Sequence, residues 1–189
     1  MKLYEDGKID LNAKLSKYLP ETKNSNKSNI PIYRLLTHTA GLQAWIAFYK
    51  ATLNNDNSFR EELWKEEYSP DYALNVAKNE YLRTDYADTI LTQIINSPLR
   101  KDTSYLYSDM GFYLLAEIIH RISGKTLDIY LYENFYKPMQ LKNTCFNPLE
   151  KINKERIAPT ENDTLFRRQL LCGYVHDQGA ALLGGISGH

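Results

Sequence analysis

A chain of 189 residues with 23 acidic and 23 basic side chains carries no net field to gather nucleic acid or anionic lipid, and no Lys/Arg cluster builds a groove for either. Hydrophobic residues at 43% and charged residues at 24% mark a globular chain, and this length buries roughly 70% of the unfolded surface, so a true core is expected. No run reaches the roughly 20 apolar residues of a membrane span, and the two cysteines, Cys145 and Cys172, form neither a disulfide framework nor a zinc spacing, so free thiols are expected.

In chain order, Met1, Leu3 and Tyr4 read as the tail of a helix that Gly7 stops from a C-terminal cap position. Residues 10–20 follow as a turn and a short helix. Residues 23–29 are rich in Ser and Asn and are expected to form a surface loop. Pro31 suits a first helical turn, Ile32, Leu35 and Leu36 make one apolar face, and Gly41 is expected to end that helix. Residues 45–74 carry the weakest pattern, with Phe59, Leu63 and Trp64 spaced as a short amphipathic helix. Residues 76–83 read as extended. Asp85 is placed to cap a helix in which Ala87, Ile90, Leu91, Ile94 and Ile95 recur at helical spacing, closed by Ser97-Pro98.

Asp109 is expected to open the next helix by accepting from N–H groups of the first turn. Its apolar stripe is Phe112, Leu115, Ile118, Ile119 and Ile122, and Gly124 is its stop. Thr126 is placed to cap a further helix with Leu127, Tyr130, Leu131 and Phe135 inward and Pro138 beyond it. Residues 147–168 read as loop with short strands, and residues 180–189 are small and glycine-rich. The count is mainly helix with few short strands.

Two segments carry the residues of chemical interest: Leu35-Leu36-Thr37-His38-Thr39-Ala40-Gly41 and Tyr107-Ser108-Asp109-Met110-Gly111. A Tyr-Ser-Asp triplet before an apolar stripe is also what a capped helix with an aromatic staple looks like, so the triplet alone decides nothing. Its neighbours add to it. Lys2-Leu3-Tyr4-Glu5-Asp6-Gly7-Lys8-Ile9-Asp10-Leu11 comes first, and Pro138-Met139-x-Leu141-x-x-Thr144 comes after. In this order the blocks resemble the interior of a penicillin-recognising serine hydrolase, the group that includes class C β-lactamases, D-amino-acid carboxypeptidases and related esterases.

The resemblance implies the helical portion of a β-lactamase/transpeptidase-like fold without most of its antiparallel sheet, with residues 1–189 as a single incomplete domain. It implies acyl-enzyme hydrolysis of an ester or amide, in which a serine attacks and a Lys and Tyr107 move its proton. A free Tyr with a pKa near roughly 10 is a poor base at neutral pH, so a neighbouring ammonium has to stabilise the phenolate. Position 109 is Asp where the lactamase pattern has Asn. Asp cannot donate as an amide does and adds negative charge, which counts against β-lactam turnover. Tyr107 and Asp109 are the candidate catalytic residues.

No Ser-x-x-Lys and no Lys-Thr-Gly occurs in these residues. The chain is therefore expected to be the interior of a module whose missing N- and C-terminal segments are its partners. Alone it is expected to be inactive and to self-associate through exposed apolar surface. A narrower resemblance lies in Gly173-Tyr174-Val175-His176-Asp177 with the residues from Ala180 to His189, which is similar to a module joined to family-three glycoside hydrolases of the β-N-acetylglucosaminidase type. It implies work in the periplasm or cell envelope on peptidoglycan or its fragments. The rival is a non-catalytic module that only binds envelope material.

No cofactor or metal is expected. The resemblance makes His38 a framework residue, and His120 is expected on a polar helix face. His176, Asp177 and Ser187 make a poor triad, because Gly185-Ile186-Ser187-Gly188-His189 is not Gly-x-Ser-x-Gly. As metal ligands, His176, Asp177 and His189 are too widely spaced to count.

Overall fold

The computed structural model describes residues 1–188, and its elements group into two units, one of residues 1–45 and 91–131, the other of residues 46–90 and 132–188. The helices are α1 (Lys2–Glu5), α2 (Leu15–Tyr18), α3 (Ile32–Leu36), α4 (Tyr86–Asn96), α5 (Met110–Ser123), α6 (Leu127–Leu131) and α7 (Gln178–Ala181). The strands are β1 (Trp64–Lys65), β2 (Leu74–Ala77), β3 (Glu80–Leu82), β4 (Pro159–Asp163) and β5 (Gln169–Cys172). Short 3-10 turns at Pro20–Asn24, Phe48–Thr52, Pro148–Glu150 and Lys154–Arg156 and a π turn at Tyr132–Tyr136 complete it.

In the first unit, Gly7 at φ 66° and Gly124 at φ 68° stop α1 and α5 in the left-handed conformation that glycine adopts without steric cost. The backbone of α3 is anchored at its start: the Ile32 N–H donates to Ala13 O at 3.1 Å and the Tyr33 N–H to Leu11 O at 2.9 Å. Ile32 and Leu35 are buried, and α3 packs against α5. Gly111 makes this approach possible, since a Cβ there would lie 3.2 Å from Leu35 O, a backbone atom with little freedom to yield. Leu15, Leu19, Ile94, Met110, Leu114 and Ile118 complete the core, each contributing about 1.5–3 kcal/mol by leaving water.

Several expectations are corrected here. The helix after Pro31 ends at Leu36, and the left-handed residue that follows it is His38 at φ 54°, ahead of Gly41. The inward face of α5 is Met110, Tyr113, Leu114 and Ile118. Phe112 is exposed and Ile119 and Ile122 are half-buried, because the apolar residues of the helix spread well beyond one narrow stripe around its polar Glu117, His120 and Arg121 side. The segment 23–29 is not wholly a surface loop. Lys27 is fully buried, its Nζ donating to Ile95 O at 3.1 Å, Ser97 O at 2.6 Å and Asn26 Oδ1 at 3.0 Å. It thereby satisfies the carbonyl-rich C-terminal end of α4, where a cation is favoured. Burial pulls its pKa down to about 8.

The second unit holds a three-stranded antiparallel sheet in the order β1-β3-β2 and the hairpin β4-β5. Residues 76–83 are extended as expected, folded back at Asn79 (φ 59°). The helix expected around Phe59, Leu63 and Trp64 is absent. Trp64 starts β1, pairing with Leu82, and stacks on Phe59 at 4.5 Å between centroids. Phe166 packs edge-on against both rings.

The turn between β4 and β5 is built on Asp163. Its carboxylate accepts the N–H groups of Leu165, Phe166 and Arg167 and the Arg167 Nε at 2.8 Å. These donors hold the Asp163 carboxyl below its usual range against the opposing effect of burial. The fully buried Arg167 guanidinium then reaches Val175 O at 2.7 Å and His176 O at 2.6 Å. Cys145 and Cys172 are both free thiols, Cys145 half-buried and Cys172 buried.

Candidate active site

The segment before α5 is stitched to the turn after α3. Gln43 Nε2 donates to Pro98 O at 3.0 Å, the Arg100 N–H to Gly41 O at 2.8 Å, and the Leu106 N–H to His38 O at 3.0 Å. The last stitch comes from a side chain: the Ser108 N–H donates to His38 Nδ1 at 3.2 Å. Gly41 runs in this pairing at φ 72°, a conformation that disfavours a Cβ. Asp102 folds the loop upstream by accepting the Ser104 N–H at 2.7 Å and its hydroxyl at 2.5 Å, which holds the Asp102 carboxyl below its usual range.

This backbone turns alternate side chains to opposite sides. Tyr107 is 54% exposed, whereas Ser108 is 3% exposed. The Ser108 hydroxyl has no hydrogen-bond partner among the described residues, so it is no candidate nucleophile. The Tyr107 ring lies on His38 with centroids 4.7 Å apart, and Phe112 and Tyr105 complete the ring cluster at 5.4 and 5.8 Å from the same imidazole.

The Tyr107 hydroxyl donates to Asp109 Oδ1 at 2.8 Å. Asp109 is the N-cap residue of α5, but its side chain makes no capping bond; the expected cap is corrected because the carboxylate is engaged by the phenol two residues earlier. What results is an accessible phenol whose proton lies against a carboxylate, on a backbone tied down on either side. Such a pair can pass or hold a proton at the phenol oxygen.

The other residues singled out by sequence fall in the second unit. Asp177 caps α7, its Oδ1 accepting the Ala180 N–H at 2.6 Å. His176 gives its carbonyl to Arg167. Ser187 is exposed at φ 63°, and His189 lies outside the described residues. Both side chains of the His176-Asp177 pair are thus on a segment with structural duties. No group of three or more His, Cys, Asp or Glu side chains suited to a metal ion converges among the described residues. His120 is exposed on α5, as expected.

One feature was not legible in the sequence. The second unit contains a cavity of about 390 Å³ lined by Asn75, Tyr136, Cys145, Phe146 and Tyr174, among others. Burial pushes the Tyr174 phenol up, opposed by a hydrogen bond from Asn75. Gly173 lines the cavity too, and a Cβ there would meet Leu149 at 2.6 Å. The glycine-rich block from Gly173 onward was the signal available. Its partners Cys145 and Phe146 come from a segment with no pattern of its own.

A family model described as Beta-lactamase matches residues 1–176. The chain is 30% identical over 208 aligned positions to an N-acetylmuramyl-L-alanine amidase of Bacillus subtilis, covering all of this chain and 42% of that protein. It is 32% identical to a putative D-alanyl-D-alanine carboxypeptidase of Salmonella agona, with the same coverage. In structure it is similar to the octameric penicillin-binding protein homologue from Pyrococcus abyssi, with a TM-score of 0.56 and 18% identity over 92% of this chain and 36% of that one. The chain thus spans less than half the length of the relatives it matches.

Proposed function

The chain belongs to the Beta-lactamase family, and from that premise we propose that it forms part of a serine hydrolase that cleaves an amide of peptidoglycan or its fragments through an acyl-enzyme. Residues 1–189 are the interior of one such module, carrying its helical portion and little of its sheet. The nucleophilic Ser and its Lys lie outside these residues, which hold no Ser-x-x-Lys. The observation that carries the reading is the accessible Tyr107 phenol with its hydroxyl on Asp109, on a segment fastened to the Leu35–Gly41 block. The names of the relatives support the substrate class, one an N-acetylmuramyl-L-alanine amidase and one a putative D-alanyl-D-alanine carboxypeptidase.

In the reaction the Ser hydroxyl proton passes to Tyr107 as the acyl bond forms and goes on to the leaving amine, while oriented N–H groups steady the tetrahedral oxyanion. A Lys ammonium beside the phenol offsets the Asp109 charge, which by itself favours the protonated phenol. The complete protein works in the periplasm or cell envelope, and the sequence resemblance of Gly173–Asp177 with Ala180–His189 is what supports its fusion to a family-three glycoside hydrolase. The test is incubation of the complete protein with muramyl-L-alanyl peptides and with peptides ending in D-alanyl-D-alanine, read by mass spectrometry. Release of a free peptide or of D-alanine supports the reading. Intact substrates in both cases, from a folded protein, contradict it.

A second reading, a binding module without catalysis, draws on the same carboxylate: Asp109 stabilises the Tyr107 proton instead of removing it. It predicts retention on insoluble peptidoglycan with no turnover.

A further inference from the structure

We propose that His38 is the positioning residue for Tyr107, holding the amides on both sides of it. The inference rests on the reading of Tyr107 as the group that moves the proton. The residues flanking Tyr107 are Leu106 and Ser108. The Leu106 N–H is bonded to the carbonyl of His38 at 3.0 Å and the Ser108 N–H to its Nδ1 at 3.2 Å. The imidazole of the same residue lies against the Tyr107 ring at 4.7 Å. One residue thus grips the Tyr107 peptide at three points.

The geometry specifies the state of the ring. A backbone N–H can only donate, so Nδ1 offers its lone pair and the proton of the neutral imidazole is on Nε2. It also accounts for the backbone. His38 stands at φ 54°, a conformation uncommon for a residue with a side chain, and there both its carbonyl and its ring reach the same strip of chain. The Ser108 hydroxyl takes no share of the hold, having no hydrogen-bond partner among the described residues. Tyr107, being 54% exposed, depends on this contact more than a buried ring does. Proton transfer needs its partners within hydrogen-bond reach, and a phenol misplaced by about 1 Å loses roughly a hundredfold in rate.

Two substitutions separate the acceptor from the backbone conformation. Asn tolerates a left-handed φ and carries an acceptor, Oδ1, at the position of Nδ1. Gly tolerates the same φ and carries none. In this chain, labelled with nitrogen-15, the His38 ring is expected to show a bare Nδ1 and a proton on Nε2. Exchange of the Ser108 amide is expected to quicken about five- to tenfold in His38→Gly and to stay near wild type in His38→Asn. In the complete protein, His38→Gly is expected to lower kcat on an amide substrate about tenfold or more with KM little changed, and His38→Asn to recover most of it.

A proton on Nδ1, unchanged Ser108 exchange in His38→Gly, equal loss in both variants, or a loss confined to KM overturns the inference. If His38→Gly does not fold, the ring nitrogens of the wild type and the exchange in His38→Asn decide it. A wild-type complete protein that hydrolyses nothing removes the reading of Tyr107, and the amide measurements in this chain then judge the hold alone.

Discussion

At the scale of single residues, two neighbours of Tyr107 have opposite characters. Asp109 places a carboxylate beside the phenol and accepts a hydrogen bond from its hydroxyl. Asp109→Asn removes that charge and offers an amide that can donate, so the complete protein is expected to acylate faster with penicillin, by about three- to tenfold for a change of roughly 1 kcal/mol in the transition state. Stopped-flow labelling measures this, and an unchanged or slower rate means the carboxylate does not set the preference. Ser108 is buried with an unbonded hydroxyl. A buried polar group without a partner costs stability, so Ser108→Ala is expected to leave the denaturant midpoint unchanged or slightly raised. A loss above about 1 kcal/mol would point to a bond that the hydroxyl makes in solution. The triplet Tyr107-Ser108-Asp109 was legible as a motif, but its hydrogen bonding was not: helix-cap preference assigned the Asp109 carboxylate to the first turn, and a closer phenol took it.

Elements were legible where a local rule decides them. Gly7 and Gly124 end their helices because the left-handed conformation is written into the residue type. The region of Phe59 and Trp64 was misread because three apolar residues span too little chain to tell helix from strand, and the pairing of Trp64 with Leu82 settles it from a distance. Lys27 was misread for a similar reason, since the carbonyls that accept from it are 68 and 70 residues away. Lys27→Met keeps the volume and leaves those carbonyls unpaired at the end of α4, for an expected loss of about 2–4 kcal/mol. Urea melts of the two proteins measure it, and equal midpoints contradict the capping role.

In the second unit, Gln169 ties β5 to the turn between β2 and β3. Its Nε2 donates to Lys78 O at 3.2 Å and Glu80 Oε1 at 2.9 Å, and its Oε1 accepts the Lys78 N–H at 3.2 Å. Burial raises the Glu80 carboxyl from 4.5 to about 7, with Asp163 adding to the rise and the Gln169 bond, Arg167 and Arg168 opposing it. Between these two values the folded chain keeps a proton that the unfolded chain releases. Its stabilising contribution is therefore full below about 4.5 and is lost as pH rises through about 7. Glu80→Gln is expected to match wild type in Tm at pH 5 and to exceed it at pH 8. Parallel pH profiles for the two proteins rule this out.

For the whole molecule, the likeness to the Beta-lactamase family was legible from the order of its blocks, which depends on no single contact. The face of α5 and the 390 Å³ cavity were not, because each is made by residues far apart in sequence. Trp45, Met139, Leu165 and Leu170 are each more than half exposed. The proposed function stands or falls with Tyr107 serving a serine acyl-enzyme reaction. The most direct measurement is covalent labelling of the complete protein by a fluorescent penicillin or a fluorophosphonate. Labelling is expected to disappear when the Ser of its Ser-x-x-Lys is replaced and to slow about a hundredfold in Tyr107→Phe, the scale of a lost acid–base group. A folded, complete protein that takes no label, or one in which Tyr107→Phe labels at the wild-type rate, contradicts it.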